Sequence, residues 1–180
     1  MTIQPVPRGG NNAAATSTPA RLMALLISWF ECIPQSLIAL VARFSIAAVF
    51  WNSGQTKIEG LAINLVNGEF KLGWPHLSES ALSLFQYEYR LPLLPPVLAA
   101  MMAATAEHVF PLLLLFGLAT RFSAAALLGM TLVIQLFVYP GAYATHGTWA
   151  ALLLYLMACG PGVLSIDHWL KLRSGGLGQG

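Results

Sequence analysis

The sequence predicts an all-α fold: a four-helix transmembrane bundle with an N-terminal interfacial helix and a partly helical outer loop. Three observations predict it. Of the 180 residues, 57% are hydrophobic and only 9% are charged, with a mean hydropathy of +0.68. A water-exposed domain needs about a quarter of its residues charged to hydrate its surface, so most of this surface faces lipid. Four apolar stretches each approach the ~20 residues that a spanning helix requires. Charge falls mainly between those stretches. Together these exclude an ordinary cytosolic enzyme, a nucleic-acid binder and a disordered chain.

Residues 1–20 are rich in Pro, Gly, Asn, Ser, Thr and Ala and read as a flexible cytoplasmic tail. Arg21 precedes a short apolar run, Leu22 to Phe30. A cleavable signal peptide is the rival reading, but no small-x-small site follows before Glu31-Cys32-Ile33-Pro34. The run is too short to cross a hydrocarbon core of ~30 Å, so residues 21–33 are expected as a helix lying on the membrane surface.

A four-span membrane domain is expected over 34–170. The first span runs from about Gln35 to Gln55, after Pro34, which suits a helix start. The others run from about Pro96 to Leu118, Phe122 to Tyr139 and Thr148 to Ile166. Residues 171–180 read as a flexible C-terminal tail. Short links at 119–121 and 140–147 force neighbouring helices to run antiparallel.

The one long connection, 57–95, holds Lys57, Glu59, Glu69, Lys71, Glu79, Glu88 and Arg90 with Phe70, Trp74, Phe85, Tyr87 and Tyr89. It is expected to be helical around Leu77 to Tyr87 and to lie at the membrane surface, where Trp and Tyr are favoured. Small-residue pairs at helical spacing, Ala99/Ala103, Ala100/Ala104 and Ala125/Gly129, suit close helix packing in lipid. An even number of spans puts both termini on one side, with Arg8, Arg21, Arg121, Lys171 and Arg173. The opposite side has Lys57, Lys71 and Arg90, diluted by glutamates. The positive-inside rule then places both termini in the cytoplasm.

Arg43 and Glu107 interrupt apolar helices. A charge at mid-bilayer costs roughly 2.5–3.5 kcal/mol on insertion scales, so each is expected to face the bundle interior and find a partner. At ~1.5 Å per residue, counted from the cytoplasmic helix ends, Arg43 sits about 12 Å deep and Glu107 about 16 Å. An Arg43–Glu107 ion pair is therefore expected, with His108 alongside. Such a pair is either a clamp that fixes helix register or an anion, proton or quinone-headgroup site. Pro111, one turn beyond Glu107, removes a backbone hydrogen bond and is expected to kink the helix. Gln135 and the hydroxyls of Tyr139 and Tyr155 add hydrogen-bonding groups. The expected polar pocket is thus Arg43, Glu107, His108, Gln135 and Tyr155.

No covalently bound cofactor and no metal site is indicated. The histidines at 76, 108, 146 and 168 share no matched depth for two haem ligands. Cys32 and Cys159 form no CxxC for a thiol relay. A site from His146, His76 and Glu79 has no ligand-spacing signature. The chain has no P-loop, Rossmann glycine pattern, HExxH or GxSxG.

Three stretches resemble the DoxX family of small bacterial membrane proteins. The first is Arg43 followed by FWNSGQTKI, with Gly54 and Lys57. The second is Glu107 leading to LLLLFGLATRFSA, with Gly117, Thr120 and Arg121. The third is GPGVLSID, containing Gly160, Pro161, Gly162, Ser165 and Asp167. The likeness covers roughly residues 36–170. It implies a four-helix membrane bundle, with Arg43, Lys57, Glu107 and Arg121 at recurrent polar positions. Some members are tied to quinone-linked sulfur oxidation or to oxidoreductase complexes handling thiol or oxidative stress. The leading functional expectation is a membrane subunit of a redox complex, with quinone as its possible cofactor. The alternatives are a scaffold docking a partner through the 57–95 loop, or an oligomeric small-molecule or ion carrier. Expected partners are the lipid bilayer and other protein subunits or further copies of the chain, not nucleic acid.

The residues also carry local geometry. Gly117 suits a left-handed helix end. Arg121 suits a snorkelling contact with headgroups. Gly160-Pro161-Gly162 breaks the last span, with Ser165 and Asp167 as caps of a final surface-lying turn.

Overall fold

A computed structural model of the chain describes residues 18–64 and 68–175. The tail expected over 1–20 therefore lies almost entirely outside the described residues, as do residues 176–180. The chain divides into two compact units, Met1–Pro34 and Gln35–Gly180.

The first unit contains helix α1, Thr18–Glu31. Leu22, Leu25, Leu26 and Trp29 recur at spacings of three or four and are exposed, giving the helix one apolar stripe. Bonds from Cys32 N–H to Trp29 O and from Ile33 N–H to Phe30 O close its last turn, ahead of Pro34.

The second unit contains α2 (Gln35–Gln55), β1 (Ile58–Asn64), β2 (Glu69–Leu77), α3 (Glu79–Ser83), α4 (Pro96–Phe116), α5 (Thr120–Val133), α6 (Tyr143–Cys159) and α7 (Ile166–Gly175). α3 continues into a π-helical turn, Leu84–Tyr89, and α5 into another, Ile134–Val138. Helices α2, α4, α5 and α6 form a closed ring, each packing on the next and α6 returning to α2. At its centre Ala39, Ala42, Ile46, Ala47 and Phe50 of α2 meet Leu114, Ala124, Leu127, Leu153 and Leu156. Alanines at the crossings let the backbones approach, while the outward faces stay apolar, as lipid solvent requires.

Three helices are long and apolar enough to cross a membrane: α2, α4, and α5 with its π turn. The fourth member of the ring, α6, is shorter, at 17 residues. It starts at Tyr143 rather than Thr148 and stops at Cys159 rather than Ile166, because Gly160 and Gly162 take positive φ around Pro161. The chain then turns into α7, which continues through Gly175 where a tail was expected. The end of the bundle carrying Asp167 is called here the Asp167 side, and the opposite end the hairpin side.

The 57–95 connection holds a helix, as expected, but also an antiparallel hairpin that the sequence reading did not foresee. β1 pairs with β2 from Ile58↔Leu77 to Asn64↔Glu69, with an irregularity between Glu59 and Leu61. The strand signal was present: Phe70, Leu72 and Trp74 alternate with Glu69, Lys71 and Gly73. Ser78 caps α3: its Oγ accepts the Ala81 N–H at 3.1 Å. Phe85 of the π turn packs on Ala99 and Ala100 of α4. Those two alanines thus serve the loop. Ala125 and Gly129 do not serve a helix crossing among the described residues: both are exposed, and a Cβ at Gly129 would meet open space.

Candidate functional site: a hairpin-side cavity

Glu107 lies in α4, 2% exposed, and its charge is answered by Lys57. The Lys57 Nζ is 2.7 Å from Glu107 Oε2 and also donates to Ser53 O at 3.2 Å and Ser53 Oγ at 3.0 Å. The Ser53 hydroxyl donates to Glu107 Oε1 at 3.1 Å. Local folding fixes this triad. α2 ends in a turn with Lys57 N–H bonded to Gly54 O, and Ser78 N–H holds Lys57 O. Gly54 permits the close helix approach, since a Cβ there would lie 2.8 Å from the His108 ring.

Beside the triad is a cavity of about 330 Å³, within the range of small-molecule sites. Val49, Phe50, Met102, Met130 and Trp149 supply apolar walls, and Phe85, Tyr89 and Leu91 of the loop close over it. Both π-helical turns contribute lining residues: Phe85 and Tyr89 from one, Ile134 and Val138 from the other. Such turns re-aim side chains and are frequent at functional sites.

His146, 4% exposed, lines the same cavity. Its Nδ1 is 2.7 Å from Gln135 Oε1, and the Gln135 amide N–H donates to Pro140 O at 2.6 Å. Gln135 therefore presents its oxygen to the ring, and Nδ1 carries the proton. Nε2 is left as an acceptor with no hydrogen-bond partner among the described residues. The Tyr139 hydroxyl, also at the cavity, donates to Tyr89 Oη at 3.4 Å. Burial, with this contact second, pushes the Tyr89 hydroxyl above its ordinary pKa.

The Asp167 side is built differently. α4 ends at Gly117 with φ +66°, and Leu118 N–H bonds to Leu113 O at 2.8 Å, closing a Schellman turn. Two Arg43 nitrogens reach carbonyls: Nη1 donates to Leu114 O and Leu115 O at 3.3 and 3.4 Å, and Nη2 to Leu164 O at 2.6 Å. The cation thus sits at the negative end of the α4 dipole. A Cβ at Gly117 would collide with the guanidinium. Asp167 accepts the N–H groups of Ala119 and Thr120 at 2.8 and 2.9 Å, and its own N–H bonds to Gly117 O at 2.9 Å. These bonds hold Ala119 in a left-handed conformation, φ +47°, which alanine otherwise avoids.

The DoxX family profile matches residues 38–140, more than half of the chain. The chain belongs to the DoxX family. Comparison with curated proteins and with solved structures finds no match. Family membership and the apolar helices α2, α4 and α5 make this a multi-pass membrane protein.

In this DoxX protein the five residues expected to share one pocket divide among four places. The Arg43–Glu107 pair does not form. α4 ends level with Arg43, so α2 extends about two turns beyond it on the Asp167 side. Depths counted from helix ends therefore placed the two charges level when they are not. Glu107 instead meets Lys57. His108 faces another way: Nδ1 donates to Ala104 O at 2.6 Å and Nε2 takes the Gln55 amide at 2.9 Å, while Gln55 Oε1 holds Ile63 N–H at 2.7 Å. It ties α4 to α2 and the hairpin and does not line the cavity. Gln135 acts through His146. Tyr155 donates to Gln35 Oε1 at 2.9 Å on the Asp167 side.

The DoxX motif positions sort the same way. Gly54 and Lys57 build the hairpin-side triad. Gly117, Ser165 and Asp167 build the lock on the other side, with Ser165 Oγ capping α7 at His168 N–H, 3.2 Å. Asp167, expected to cap the same turn, caps α5 instead. Arg121 donates to Ala158 O at 3.3 Å. α4 stays helical through Pro111. Ser53, Tyr89, His146 and Trp149 were missed as residues of this pocket. Their signals were Ser53 four residues before Lys57, and His146 three residues before Trp149. His76, 3.6 Å from Glu59 on the exposed hairpin, does not come together with His146 and Glu79; no group of three or more metal-ligating side chains forms among the described residues.

Proposed function

We propose that this DoxX protein is a membrane subunit of a redox complex and that the hairpin-side cavity holds a quinone headgroup between the Lys57–Glu107 pair and His146. The observation that carries this reading is an apolar cavity of about 330 Å³ lined by a buried ion pair and by an imidazole with a free acceptor nitrogen. A quinone ring is apolar on its faces and has an oxygen at each end. Reducing it takes two electrons and two protons. In this reading a partner subunit delivers the electrons, and water on the hairpin side supplies the two protons. Lys57 donates a hydrogen bond to one ring oxygen, and Glu107 holds that ammonium in place. The His146 Nε2 accepts from the hydroxyl of the quinol, so it favours the reduced form at its end of the ring. Gln135 keeps the needed tautomer.

The same reading places the protein in a bacterial inner membrane with both termini cytoplasmic. Arg121, Lys171 and Arg173 gather on the Asp167 side, while the hairpin side mixes Lys57, Lys71 and Arg90 with glutamates, which supports that orientation.

A second reading, a scaffold for a protein partner, draws on one observation. Phe70, Leu72 and Trp74 share one face of β2 and are 64, 82 and 90% exposed.

The test is binding of a short-chain ubiquinone analogue to the purified protein in lipid nanodiscs. Saturable binding, weakened at least about tenfold by Glu107→Gln for the oxidised analogue and by His146→Leu for its quinol form (about 1.4 kcal/mol each), supports the quinone site. No saturable binding, or binding indifferent to both substitutions, overturns it.

A further inference from the structure

On the Asp167 side the chain forms a second, larger cavity of about 690 Å³, bounded by α2, the start of α5, the end of α6, the 160–163 turn and α7. Its polar lining has one acid and three basic residues: Asp167 against Arg121, His168 and Lys171. The acid is already spent, because both carboxylate oxygens accept backbone N–H groups at 2.8 and 2.9 Å. The Tyr155 hydroxyl is likewise committed to Gln35. The donors are not spent. Arg121 uses one nitrogen on Ala158 O, and no hydrogen bond or ion pair holds the side chains of His168 and Lys171 among the described residues. The cavity thus has a surplus of donors and of positive charge, and an acceptor-rich anion is the ligand that answers both.

Phe122 and Val163 also line the cavity and are exposed. Next to it, Leu164, Trp169, Leu170 and Leu172 are exposed on the approach to α7 and along it. A group that is anionic where the basic residues lie and apolar beyond them matches an amphiphile at a membrane surface. The volume exceeds what inorganic phosphate alone would fill.

We infer that this cavity binds a phosphate group, carried by an anionic phospholipid headgroup, with Arg121, Lys171 and His168 as its donors. The site is separate from the hairpin-side cavity and does not depend on the quinone reading.

The experiment uses the purified full-length protein in neutral detergent. It follows thermal unfolding during titration with phosphatidylglycerol, phosphatidylcholine or sodium phosphate. Phosphatidylglycerol is expected to raise the midpoint by at least about 3 °C, and phosphatidylcholine to do much less. Lys171→Gln, which removes no bond among the described residues, and the double variant Arg121→Gln/Lys171→Gln should each lose half of that rise or more. Lys71→Gln on the hairpin should keep it. An equal rise with sodium phosphate alone would support the phosphate site with free phosphate as its source. An absent response, an equal response to phosphatidylcholine, an undiminished response in both site variants, or an equal loss in Lys71→Gln would each overturn the inference.

Discussion

Lys57 and Glu107 meet at 2.7 Å where the end of α2 passes the middle of α4, with their side chains 12% and 3% exposed. Ser53 bonds to both partners. The pair joins the hairpin-bearing end of one helix to the apolar interior of another and forms one wall of the cavity. Several outcomes follow from that placement and from the separate lock at Asp167.

Removing one partner strands the other in a low-dielectric site. Lys57→Met should destabilise the protein by about 3 kcal/mol, and Glu107→Leu by a similar amount. The double variant should cost less than the sum, and less than Lys57→Met alone. Thermal or denaturant unfolding in detergent checks the order. A double variant worse than both single ones would show that the pair is not the coupled unit described here.

Asp167→Ala removes an acceptor from two N–H groups at the start of α5 and an opposite charge near Arg43. A cost of about 1–2 kcal/mol is expected, as for a lost helix cap. Gly117→Ala should cost at least about 1 kcal/mol from its left-handed backbone, with the clash against Arg43 added. Both should leave binding at the hairpin-side cavity within about twofold of wild type (~0.4 kcal/mol), measured on the folded fraction.

Arg43→Met tests the division between clamp and site. Arg43 bonds to carbonyls of α4 and of Leu164 and does not line the cavity. Its loss should lower stability by about 2 kcal/mol, the scale of a buried hydrogen-bonded charge, and should leave ligand affinity nearly unchanged. A selective loss of affinity at full stability would return Arg43 to the binding site.

The two histidines should separate cleanly. His108→Leu removes the tie between Ala104 and Gln55, so it should lower the unfolding midpoint while retaining most ligand affinity. His146→Leu and Gln135→Leu should weaken binding of the quinol form of the analogue. The milder Gln135→Glu keeps an acceptor for Nδ1 and should retain more affinity than Gln135→Leu.

The bundle was legible in the sequence because lipid imposes a simple rule, long apolar helices with charge between them. α2 and α4 came close to their expected limits for that reason. The stagger between them was not legible. Nothing in the spacing of Arg43 and Glu107 reveals that α4 ends level with residue 43, so two correct helices yielded an incorrect pair. The hairpin was hidden by the aromatic and charged content of 57–95, which suits a surface helix equally well; only the alternation at Phe70, Leu72 and Trp74 distinguished it. His146 was assigned to a turn because α6 was started at Thr148, and starting it at Tyr143 brings the ring to Gln135. Gly117 was legible, since a glycine after an apolar helix carries its own conformational reason. The role of Asp167 was not, because its target is the start of α5, nearly fifty residues earlier in the chain.

The most direct test of the quinone reading is where a photoreactive quinone attaches. Irradiating the nanodisc-embedded protein with an azido-quinone and mapping the modified peptides by mass spectrometry should place the label on segments lining the hairpin-side cavity, around Met102–Glu107 and Tyr139–Trp149. An excess of unlabelled quinone should suppress that labelling, and Glu107→Gln should reduce it. Labelling confined to the Asp167 side, or scattered over lipid-facing residues and insensitive to competitor, would contradict the account.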